Sequence, residues 1–71
     1  MVDIQRLKDV ISDSGMTMTA IANKSGILRE TLYNKLKGKG EFTASEIVAL
    51  SATLRLSKSE TSNIFLNKKC N

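Results

Sequence analysis

Apolar residues recur along this chain at intervals of three and four, and the four glycines, at 15, 26, 38 and 40, fall between the stretches that keep this rhythm. With proline absent, the pattern predicts five helices and an all-α fold. The first spans about Ile4 to Asp13 behind Asp3 as N-cap, with Ile4, Leu7 and Ile11 on one stripe and Arg6, Asp9 and Asp13 facing out. Thr17 caps the second, whose apolar-to-small face is Ile21, Ala22 and Ser25. Gly26 then supplies a positive φ for a sharp turn, and Ile27 plugs the gap before a third helix from about Arg29 to Lys37 with Leu32 and Leu36 inward.

The next start is the most legible in the chain. Thr43-Ala44-Ser45-Glu46 reads as a capping box, with Phe42 placed to staple onto Ile47, and Ile47, Leu50 and Leu54 keep helical spacing after it. A second box, Ser57-Lys58-Ser59-Glu60, opens a short fifth helix carrying Ile64, Phe65 and Leu66. The predicted core is Ile4, Leu7, Ile21, Ile27, Leu32, Leu36, Ile47, Leu50, Leu54, Leu56, Ile64 and Phe65. Residues 1–66 make one helical domain, and 67–71, without an apolar anchor except Cys70, a frayed basic tail.

Composition narrows the chemistry. The chain has 71 residues, one cysteine and no histidine or tryptophan, and its seven carboxylates are spread singly. That removes the usual parts of a general base, a nucleophilic dyad, a disulfide or a metal site, so neither an enzyme nor a cofactor is expected. The segment Gly38-Lys39-Gly40 is too short for a phosphate loop. No apolar run approaches the ~20 residues needed to span a bilayer, and the amphipathic, acid-containing opening MVDIQRLKDVISDSG does not read as a signal peptide. A cytoplasmic, membrane-free protein is the expectation.

Charge is distributed unevenly, and this changes the picture most. Lys24, Arg29, Lys35, Lys37 and Lys39 face one acid, Glu30, between positions 24 and 39, a balance of +4 that equals the net charge of the whole chain. A surplus confined to one two-helix unit is the footprint of a polyanion partner, with duplex DNA the leading candidate. On the third helix, Arg29 suits guanine O6 and N7, Asn34 suits adenine N6 and N7, and Glu30 suits cytosine N4 or the orientation of a neighbouring arginine. Tyr33 divides between a base or phosphate contact and packing. Lys35, Lys37 and Lys39 are assigned to phosphates flanking the groove, and Thr17 and Thr19 to a phosphate at the start of the second helix. The same residues also read as an ordinary solvated helix face.

The stretch Thr17 to Gly38 resembles the helix-turn-helix of the phage Cro and CI repressor family, also called the XRE family. Ile21-Ala22 matches the family's leucine-alanine pair, Gly26 its turn glycine, Ile27 its post-turn aliphatic and Leu32 its buried recognition-helix position. Phe42 to Ile47 and Leu54 to Ser57 look like its fourth helix and the turn into its fifth, so the likeness covers nearly the whole chain. The resemblance implies a five-helix lambda-repressor-like domain that docks its third helix in the major groove of a double-stranded operator, acting as a sequence-specific transcriptional regulator, Cro-like in being a repressor.

Two positions depart from the family pattern. Leu28 stands where a capping residue is usual, leaving the third helix uncapped, and either makes an apolar contact that offsets this loss or touches a thymine methyl; Lys35 stands where an aliphatic is common, with Leu36 one place later. Met16, Val48 and Leu66 are the candidates for a weak or DNA-assisted homodimer. The alternative expectation is an antirepressor or modulator that binds a partner repressor protein, since one fold hosts both functions.

Overall fold

The computed structural model describes residues 2–66; the proposed tail, with Cys70, lies outside them. Within them the chain is all-helical, without strands, and forms α1 (Ile4–Ser14), α2 (Met18–Ser25), α3 (Arg29–Leu36), α4 (Ala44–Thr53) and α5 (Lys58–Phe65). None of these is long and apolar enough to cross a membrane.

Local chemistry sets nearly every boundary. Asp3, Thr17, Thr43 and Ser57 each accept a backbone N–H from three residues on, satisfying a donor that the first helical turn leaves orphaned. In both capping boxes the glutamate returns the bond: Glu46 accepts from the Thr43 N–H at 2.9 Å and Glu60 from the Ser57 N–H at 2.9 Å. Leu28 opens α3 with no side-chain cap, as its chemistry requires. At the far end of α2, Gly26 takes φ +75° and donates to the Ala22 carbonyl, which also accepts from Ile27 at 3.2 Å. The end of α4 differs from the sequence pattern, because no glycine stops it: Arg55 takes the left-handed conformation at φ +57°, and the Leu56 N–H closes the turn on the Ser51 carbonyl at 2.9 Å.

One apolar core unites the helices, and each of the five contributes one side chain with essentially no exposure: Leu7, Ile21, Leu32, Leu50 and Ile64. Around these pack Ile11, Ala22, Ile27, Leu36, Phe42, Leu54 and Phe65. Phe42 meets Phe65 edge to face, ring centroids 5.6 Å apart, which ties the loop after α3 to the end of α5. The core therefore includes Ile11, Ala22 and Phe42 beyond the predicted set, whereas Ile4, Ile47 and Leu56 are half-buried at its edge. Met16 also packs against this core, which removes it from the exposed apolar residues that could join two copies.

The start of α1 is pinned to the last turn of α5. The Asp3 N–H donates to the Ile64 carbonyl at 2.7 Å, and Ser51 on α4 accepts from the Thr61 hydroxyl on α5 at 3.0 Å. α2 packs against both α3 and α4, and α5 packs against α1 and α4. One side of α3, carrying Arg29, Glu30, Tyr33 and Asn34, stays exposed among the described residues.

Candidate nucleic-acid interface

The outward face of α3 follows from where its apolar residues point. Leu32 and Leu36 point inward and are buried, whereas Arg29, Glu30, Tyr33, Asn34 and Lys37 are all exposed. These five line one shallow, open surface depression. Glu30, Asn34 and Lys37 lie at i, i+4 and i+7, and Arg29 and Tyr33 at i and i+4 beside them. The residues singled out for base reading on α3 thus share one accessible patch. Leu28, just ahead of it, is 76% exposed.

Arg29 is held rather than loose. Its Nη1 donates to the Thr19 hydroxyl at 3.3 Å, and its guanidinium carbon lies 5.5 Å from the centroid of the Tyr33 ring. The ring face attracts the cation and the hydroxyl orients one edge, so the guanidinium is poised while its remaining donors stay available. Thr19, the phosphate candidate, restrains Arg29 by accepting this bond and keeps its hydroxyl proton to donate. Thr17 accepts from the Ala20 N–H at 3.1 Å, and its hydroxyl proton remains to be donated to a ligand.

Lys35 departs most from its expected place. Rather than flanking the patch with Lys37 and Lys39, it is mostly buried, its ammonium paired with Glu46 of α4 and 5.9 Å from the Phe42 ring centroid. This is the one salt bridge among the described residues. It joins α3 to the capping box of α4, because Glu46 accepts from both Lys35 and the Thr43 N–H. Partial burial works to raise the Glu46 pKa, but the hydrogen bond and charge of Lys35 and the two Thr43 contacts outweigh it and hold the carboxyl below its ordinary value. The sequence carried the signal: Leu32, Lys35 and Leu36 stand at i, i+3 and i+4, so Lys35 shares the inward side. Removing Lys35 leaves Lys37 and Lys39 as the exposed lysines that follow α3, with Lys24 exposed in the last turn of α2.

The patch brings together cations, planar hydrogen-bonding groups and one aromatic ring on the exposed side of α3. No protein-family model, curated protein or solved structure matches this chain.

Proposed function

We propose that this protein is a sequence-specific DNA-binding transcriptional regulator of Cro-like type, in which α2 and α3 act as a helix-turn-helix and α3 enters the major groove. The observation that carries this reading is the shared exposure of Arg29, Glu30, Tyr33, Asn34 and Lys37 on one face of α3, within the segment that holds the chain's net charge. Recognition helices present side chains of this kind to base edges.

In this arrangement Arg29 reads guanine through its free donors, with Thr19 and Tyr33 limiting the rotamers it must give up on binding. Asn34, one turn further on, takes adenine. Glu30 accepts from cytosine N4, and Leu28 meets a thymine methyl at the groove wall. Lys37 and Lys39 neutralise phosphates at the end of α3, and the Thr17 hydroxyl with the first-turn amides of α2 takes another. Lys35 acts through the fold, since its charge is already matched by Glu46.

Titration of labelled duplex DNA at two salt concentrations tests this directly. Phosphate neutralisation makes affinity fall steeply with salt, with a log–log slope of about −0.9 for each phosphate engaged. A protein partner is favoured by one observation only, the 76% exposure of Leu28 beside the patch. Salt-insensitive capture of a partner repressor, with no binding to duplex DNA at low salt, would replace the first reading by that one.

A further inference from the structure

Next to the outward face of α3 lies a cleft of about 350 Å³, where the second half of α1, the first turn of α2 and the end of α3 meet. Its wall is apolar, built from Ile11, Met18, Leu36 and the Tyr33 ring, and it carries two lysines, Lys8 on α1 and Lys37 after α3. Both lysines are exposed, and neither has a salt-bridge partner among the described residues. The volume is at the small end of the range that holds organic ligands, and mostly apolar lining with a few charged groups is their usual environment.

We propose that this cleft binds a small amphipathic carboxylate, with the apolar body against Ile11, Met18 and Leu36 and the carboxylate between Lys8 and Lys37. Charge complementarity selects an anion, and the apolar wall selects one with a hydrocarbon or aryl body. A DNA phosphodiester meets the first demand but has nothing to cover that wall, which argues for a small molecule here. Tyr33 and Lys37 belong to both the cleft and the outward face of α3, so occupancy by the carboxylate competes with DNA. The competition rests on the function proposed above; the binding itself does not.

The test is a titration of the ¹⁵N-labelled full chain with decanoate below its micellar concentration, beside decanol and propionate. Decanoate should shift the amides of Ile11, Met18, Leu36 and Lys37 saturably, decanol should bind several-fold more weakly, and propionate should leave them in place at equal concentration. Lys8→Gln and Lys37→Gln should each weaken decanoate by about three- to fivefold, the size expected of partly solvated ion pairs. Ser12→Phe, at an exposed position on the cleft's rim, should block binding while the remaining spectrum keeps its dispersion. The proposal is overturned if the shifts centre on Leu28, Val48 or Leu66, the exposed apolar residues elsewhere, or if decanol matches decanoate and Lys8→Gln changes neither. Decanoate binding with no response to duplex DNA would contradict the DNA reading and leave the cleft standing.

Discussion

Arg29 and Lys37 occupy the same face of α3 but are offered different work. Arg29 stands at the first helical position, fixed by Thr19 and the Tyr33 ring, where a planar fork reaches base edges. Lys37 stands past the last turn, close to where a groove-bound helix leaves the bases for the backbone. Arg29→Ala should therefore cost ~1–3 kcal/mol on a preferred site and little on mixed-sequence DNA, whereas Lys37→Ala should weaken both alike; competition binding against mixed DNA separates the two. Thr19→Val, which removes the hydroxyl partner of Arg29, should reduce site preference without altering the salt dependence. Lys35 gives the opposite prediction from its neighbours. Lys37→Ala and Lys39→Ala together should flatten the log–log salt slope by about 1.8, but Lys35→Ala should leave that slope unchanged, because its ammonium serves Glu46.

At the level of the element, the ends of the helices carry more information than their middles. Gly26 turns at φ +75° with open space around the position a Cβ would take, so Gly26→Ala should cost only the left-handed backbone penalty, ~1–2 kcal/mol, and thermal melts should resolve it. Thr43→Ala removes one half of a capping box for about 1 kcal/mol. The same box makes stability depend on pH. Glu46 titrates lower in the folded chain than in the unfolded chain, so its contribution is complete above the unfolded value near 4.5 and is lost as pH falls through the folded one. Denaturant midpoints should drop across that acidic window, and less so in Glu46→Gln, which begins from a lower stability. The capping boxes, the Gly26 turn and all five helices were legible because each rests on residues close in sequence. The helical spacing also carried α4 to Leu54, its C-cap, but the left-handed Arg55 just beyond it was not legible, since no glycine marks that turn and Leu56 returns to the Ser51 carbonyl there. Lys35 was half-legible: its spacing put it inward, but its partner lies eleven positions away, and positive charge next to other lysines suggested a single surface.

For the molecule as a whole, five helices share one small core of twelve buried side chains among the described residues, and each helix supplies one that is essentially fully enclosed. A chain of this size has a narrow stability margin, and Leu50→Ala, deleting one of the five, should cost ~2–5 kcal/mol and leave a largely unfolded population detectable by circular dichroism. That economy explains the division of labour along α3: its inward side, Leu32, Lys35 and Leu36, holds the helix to the rest, and its outward side is free of structural duty. The candidate base-reading residues could be read from the sequence because they are what remains once the inward side is assigned, whereas the cleft by Lys8 and Lys37 needs three helices to be placed before it exists. What matters most is whether the outward side of α3 engages duplex DNA, and mapping amide shifts of the full chain against a mixed-sequence duplex at low salt tests it most directly. The largest shifts are expected at Arg29, Glu30, Tyr33, Asn34 and Lys37, reversing as salt is raised; shifts confined to α4 and α5, or none at low salt, would contradict a DNA-reading α3.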